Sequence, residues 1–229
     1  MNAYVKYKNE LNTISFGKFN AVELNLFFAM LSKATSEHKQ LFQLSLAELR
    51  SLAHYNPTSS QRLLTDLTAI QQKLTASKYI HSYRNDNTIG LEDFVFFEEF
   101  HFLKQSKSLE IKINPKFTCL LNQVPIHSTC FALQDFLSLK KVYAKQLFRL
   151  LTQYQTIGYW EVPIENLVFL LSIPESYQIG QIDQKIVKPA IAELMPFFAS
   201  LRVEKIYGST QGNKVTAYIF HFKKIDWWT

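Results

Sequence analysis

One order of elements occurs twice along these 229 residues, and it confines the chain to few architectures. In the first half a periodic helix is followed by a short strand, a capped helix, a polar turn, a further helix and a ribbon. In the second half the same order begins again. FQLSLAEL lies over WEVPIENL, YNPTSSQR over IPESYQIGQIDQ, and KLTASKYIHSY over FFASLRVEKIY. The second copy is longer, and the extra residues fall in the turn before its last helix. Self-similarity at this scale marks a duplicated structural unit.

The local signals agree with that reading. Asn20 caps a helix through about Lys33, with Val22, Leu26, Phe27, Met30 and Leu31 on its inner side. Ser45 starts the next helix, and Glu48 stands three residues on as its capping-box partner. A third helix runs from about Ser59 to Thr75. In the second half FALQDFLSLKKVYAKQLFRLLTQY reads as one long helix, YWEVP as a strand and IENLVFLLSI as a helix. The stretch from Gly180 to Lys224 closes the chain. Its helix carries Ile182, Ile186, Ala190 and Leu194 on one face and Gln181, Gln184, Lys185 and Lys188 on another. Pro189 falls inside this helix, where it removes a backbone bond and bends or ends the helix. LRVEKIY then pairs with VTAYIFHF across a Gly-Ser-Thr-Gln-Gly-Asn turn. Helix, turn, helix and β-ribbon make a winged helix. The expected fold class is α+β, mainly helical, with tandem duplicated winged-helix domains. The expected domains are residues 1–118 and 131–229, with a linker at 119–130, within a stretch (NPKFTCLLNQVPIHS) that has two prolines and little periodicity.

Charge suggests the class of partner. Lys and Arg outnumber Asp and Glu by 25 to 19, a net +6, and the pI is about 9.1, which suits a polyanion. Cys119 and Cys130 make no disulfide framework and fit a reducing, cytoplasmic setting. With His127 they supply at most three zinc ligands and no second pair, so no metal is expected. No apolar run is long enough to span a bilayer. No Walker, GxSxG, HExxH or paired CxxC pattern is present, so neither an enzyme nor a cofactor is expected.

Gln181, Lys185 and Lys188 fall at i, i+4 and i+7 on one helical face, bordered by Gln184. Amides pair with base edges and lysines neutralise phosphates, so this face is the candidate reader of a major groove. Tyr177 in the preceding turn is within reach of phosphate or of the core. Lys214 stands at the wing tip. Lys141, Lys145 and Arg149 are spaced by four and are expected to line one stripe near the start of a helix, as phosphate contacts or as packing stems. In the first half only Arg62 is basic near the entry end of the equivalent helix. EDFVFFEEF carries four acids there, so that half is expected to serve as a dimer or partner surface with secondary backbone contacts.

Six blocks, in order, carry a resemblance: VKYKNELN, FNAVELNLFFAMLSK, VYAKQLFRLLTQY, FLLSIPESY, IDQKIVKPAIAEL and GNKVTAYIFHFK. With these the chain resembles the initiator proteins of iteron-containing theta plasmids, built from two winged-helix domains. The resemblance implies binding to double-stranded origin DNA at direct repeats (iterons), opening of the adjacent duplex, and recruitment of host replication proteins: an initiator, a helicase or its loader. It also implies a homodimer in equilibrium with monomer, the dimer repressing its own gene. Members commonly carry arginines in the first turn of the second reading helix, where this chain has Asp183-Gln184-Lys185. The residues themselves leave open a transcriptional repressor of the same architecture, or a protein–protein adaptor that never touches DNA.

Overall fold

The computed structural model describes residues 3–16, 18–37, 39–75, 78–82, 89–93, 96–121, 128–208 and 214–223. They form two compact units. The first comprises residues 1–14 and 18–137, and the second residues 15–17 and 138–229.

In the first unit β1 (Tyr4–Lys8) leads through a 3₁₀ turn into α1 (Ala21–Glu37), followed by β2 (Leu41–Ser45), α2 (Leu46–Leu52) and α3 (Ser60–Thr75). The expected caps form. Asn20 Oδ1 accepts the Glu23 N–H at 2.9 Å, and Glu23 Oε2 accepts the Asn20 N–H at 2.7 Å, closing a reciprocal box. Ser45 Oγ accepts the Glu48 N–H at 3.0 Å. Leu26, Phe27, Met30 and Leu31 are buried as expected, whereas Val22, in the first turn of α1, is exposed. A hairpin of β3 (Lys78–Ser82) and β4 (Ile89–Asp93) follows, then β5 (Phe97–Leu103) and β6 (Ser108–Ile113). Sheet order is β2-β6-β5. Rings fill the core: Phe28 and Phe136 lie 4.6 Å apart, as do Phe96 and Phe117, and Phe27 packs edge-on to Phe96 at 5.7 Å.

Within residues 119–130, expected as a linker, every described residue lies in a helix or a strand. They complete α4 (Pro115–Leu121) and begin β7 (Ser128–Ala132), which pairs antiparallel with β1 from Tyr4↔Ala132 to Lys8↔Ser128. Residues 122–127 lie outside the described residues. Asn12 Nδ2 donates to Thr129 Oγ1 at 2.8 Å, so the N-terminal lead-in and this segment close on each other. The boundary therefore falls at Leu137/Ser138. Next, the expected long helix is broken into α5 (Leu133–Ser138) and α6 (Val142–Gln153), with Lys140 and Lys141 in the break.

The second unit continues with β8 (Tyr159–Pro163), α7 (Ile164–Leu171), α8 (Ile179–Ile182), a π-helical turn (Asp183–Val187), α9 (Lys188–Leu194), β9 (Arg202–Tyr207) and β10 (Val215–His221). Its sheet order is β8-β10-β9. The strand before the helix pair lies beside the last strand, and the middle strand lies at the far edge, as in β2-β6-β5. The duplication is thus visible in topology. It also corrects the overlay of the ribbons. The partner of β9 is β5, not Lys78–Ser82, because the β3–β4 hairpin is inserted in the first unit. Trp160 stacks on Phe220 at 5.5 Å and on Tyr154 at 5.9 Å, and Phe198 meets Phe148 at 5.7 Å and Phe222 at 5.3 Å. Phe16, contributed by the N-terminal lead-in, belongs to this unit and is 1% exposed.

Candidate nucleic-acid interface

The helix following the turn of the second unit turns Ile182, Ile186, Val187, Ala190 and Leu194 inward, all buried, with α9 packed against α6. The same winding leaves Gln181, Gln184, Lys185 and Lys188 exposed. Pro189 does not end the helix, which runs on through Leu194. A proline has no N–H to donate and its ring crowds the carbonyl four residues earlier. The π turn immediately upstream accommodates both, since its wider i→i+5 winding moves that carbonyl away.

The exposed residues are individually oriented. Lys185 Nζ sits 4.8 Å from the centroid of the half-buried Tyr177 ring, a cation–π contact that holds the ammonium at the entry end of the helix. Gln181 Oε1 accepts the Gln178 N–H at 2.9 Å, so part of this amide serves as a cap. Lys214 is exposed at the described end of the wing, where its carbonyl accepts the Gly208 N–H at 2.9 Å. Gly212 and Asn213 lie outside the described residues.

Two expected phosphate contacts are corrected. Lys145 and Arg149 do not line an exposed stripe: they are 0% and 1% exposed. Residues Ala144 to Thr152 of α6 are buried without a break, so the helix has no solvated face there to carry a stripe. Burial pulls the Lys145 ammonium down to about 7 against the opposing pull of Glu193, so near neutrality it is not a fixed cation. The Arg149 guanidinium packs over the Phe16 ring at 4.9 Å. Lys141 is exposed but engaged. Its ammonium pairs with Glu193 at 3.5 Å, and Glu193 Oε2 accepts the Lys140 N–H at 2.8 Å and the Lys141 N–H at 3.2 Å.

Glu193 thereby caps α6 from the end of α9, a link that no local pattern reveals. Burial works against its charge, but the two N–H donors and Lys141 hold its carboxyl below the usual 4.5. A lowered folded-state value means this stabilisation is present above pH 4.5 and is lost as pH falls through the folded value. Glu193→Gln is expected to lower stability by about 1 kcal/mol at pH 7. Thermal melts of both proteins should converge as the pH falls below that range.

In the first unit Arg62 is 69% exposed in its side chain and pairs with Asp66 at 3.5 Å. Ser59 Oγ accepts the Arg62 N–H at 3.3 Å and so acts as the cap of α3. Among the four acids of EDFVFFEEF, Glu98 and Glu99 both reach Lys112 at 3.1 Å. Among the described residues no group of three or more His, Cys, Asp or Glu is placed to hold a metal, and no helix is long and apolar enough to cross a membrane. His127 lies outside the described residues.

The sequence reading missed one group at the centre of this interface. Asp183, in the π turn, does not face out with Gln184. Its Oδ1 accepts the Tyr218 hydroxyl at 2.7 Å and its Oδ2 pairs with Lys205 Nζ. Burial and the neighbouring carboxylate push the Tyr218 hydroxyl well above its usual range.

Comparison with known proteins gives a consistent result. Residues 4–152 match the family described as "Initiator Replication protein, WH1", and residues 163–222 match "Initiator Rep protein, WH2". The chain is 26% identical over 226 residues to a "Probable replication protein rep" of Bifidobacterium longum (strain NCC 2705), covering 97% of this chain and 73% of that protein. It also superposes on the crystal structure of Pi initiator protein in complex with iteron DNA with a TM-score of 0.68. That match has 17% identity and covers 96% of this chain and 97% of the other.

Proposed function

The chain belongs to the initiator replication protein family, with two winged-helix domains, and from that premise we propose that it starts plasmid replication by binding the direct repeats of its origin through the α8–α9 helix. The observation that carries this reading is the exposed row of Gln184, Lys185 and Lys188 on a helix whose opposite side is wholly buried. Lys185 and Lys188 displace counterions from phosphates, Gln184 addresses base edges, and Lys214 on the wing follows the adjacent backbone. Copies on neighbouring repeats strain the duplex between them and present a surface to the host initiator, helicase or helicase loader. The first unit, whose Arg62 is tied to Asp66 and whose β5 is acidic, serves as the dimer or partner surface. The complex of Pi initiator with iteron DNA supports the ligand assignment.

Gel-shift titration with duplexes carrying the repeats of its own origin tests the proposal. Binding should be tighter than to a scrambled duplex of the same length at physiological salt by at least about a thousandfold. Equal affinity for both would defeat it.

Gly180 gives a separate test. It is exposed in the first turn of α8, and a Cβ added there meets nothing within 4 Å. The fold does not need a glycine at this position, whereas a helix seated closely against a DNA backbone does. Gly180→Ala is expected to raise stability by about 0.5–1 kcal/mol and to weaken binding to the repeats. A melting curve and a titration on the same sample check both halves.

A further inference from the structure

An acid on a helix that faces phosphates is a liability unless it is neutralised or turned away, and Asp183 is both. Its side chain is 16% exposed, and each carboxylate oxygen is engaged by a different strand of the wing. Lys205 of β9 and Tyr218 of β10 are direct partners across the ladder, so the two groups converge on the carboxylate from one position along the ribbon. The π turn, β9 and β10 therefore meet at a single side chain. This is the turn that carries Gln184 and Lys185.

The pairing has an electrostatic consequence. Lys205 is 29% exposed on the stem of the wing, beside the helix, where an unpaired ammonium would collect phosphate without regard to sequence. Charge-assisted hydrogen bonding to a partly buried carboxylate is stronger than an exposed lysine–phosphate contact in high dielectric. Asp183 thus removes one cation from the DNA-facing set and fixes the wing against the reading helix in the same stroke. We infer that Asp183 is a specificity-setting positioning residue: it withholds Lys205 from the DNA backbone and locks the wing stem to the helix. It therefore sets the ratio of specific to non-specific binding rather than binding strength. The inference rests on α8–α9 being the DNA-reading helix.

The measurement is the salt dependence of binding to a scrambled duplex, alongside binding to the origin repeats. Asp183→Asn keeps an acceptor for the Tyr218 hydroxyl and releases Lys205. Its slope of log K against log salt on the scrambled duplex is expected to steepen by about 0.9, the value for one added phosphate contact. Its non-specific affinity should rise about fivefold, and its preference for the repeats should fall. Lys205→Met is expected to leave the wild-type slope unchanged, and the double variant should return the slope to wild type. A slope unmoved in Asp183→Asn would overturn the inference. So would a slope reduced by about 0.9 in Lys205→Met, since Lys205 would then already hold phosphate; this arm stands even if Asp183→Asn fails to fold. Loss of specific and non-specific binding by the same factor in Asp183→Asn would mean a purely structural role and would also overturn it. A wild-type protein that does not distinguish repeats from scrambled DNA would overturn the assignment of the reading helix, and this inference with it.

Discussion

Arg149→Ala is expected to destabilise the second unit by about 3–5 kcal/mol while leaving the proposed DNA-binding surface chemically unchanged. Arg149 is among the largest fully buried side chains of the molecule, and its guanidinium lies 4.9 Å from the Phe16 ring centroid. Truncation removes the long stem and the charge together and leaves a cavity that α6, buried along its middle, cannot collapse to fill. Domains of this size have about 5–15 kcal/mol in total, so the loss is a large part of it. Denaturant melts followed by Trp160 fluorescence would show the midpoint falling. Phe16→Ala should shift the same transition in the same direction, although its position in the sequence is in the other half of the chain. A variant that melts like wild type and binds DNA more weakly would restore Arg149 to the phosphate-contact set and remove it from the core.

Lys185→Ala should do the opposite. The side chain is exposed, and its one contact with a ring, at 4.8 Å from Tyr177, is worth little to folding at the surface. Stability is expected to change by no more than about 0.5 kcal/mol. Affinity for the origin repeats should fall by about 1–3 kcal/mol, roughly 5- to 150-fold. If the lysine reads bases, affinity for scrambled DNA falls much less. If it only neutralises phosphate, both affinities fall alike and the salt slope drops by about 0.9. Unchanged binding to both duplexes would remove Lys185 from the interface. The two substitutions together separate a cation that holds the protein up from one that holds the ligand, a distinction their residue types do not make.

How far the chain could be read from its residues differs between elements for physical reasons. Caps were legible because they are local: Asn20 with Glu23 and Ser45 with Glu48 need only four residues each. The duplicated order was legible because each helix and strand carries its own period. The faces of α8–α9 were legible because one side alternates with the other. What failed depends on distant partners. A four-residue spacing of cations predicts an exposed stripe only where a helix has a solvated side, and α6 is enclosed by elements that its own sequence does not mention. The stretch 119–130 lacks periodicity because part of it is β7, a strand whose partner β1 lies far off at the start of the sequence. The first-unit ribbon was laid on the wrong strand because the inserted β3–β4 hairpin has the same alternating pattern as the wing. Asp183 stood out only as a departure from the family, and its inward pairing was not legible because neither Lys205 nor Tyr218 is near it in sequence.

The wide turn at Asp183–Val187 also settles which way the rest of the helix points. Ile182, Ile186, Ala190 and Leu194 recur every four residues, and in regular winding each step would advance by about 40°, sweeping the row about 120° around the axis. The extra residue turns everything beyond it back by about 100°, so the row runs almost straight, and so does the line of side chains opposite. Regular α winding over the same residues would leave a helix that still forms but is clocked wrongly, with Lys188 swung out of line with Gln184 and Lys185. Such a rewinding would act as a rotation of half the proposed reading surface rather than as the loss of any one contact.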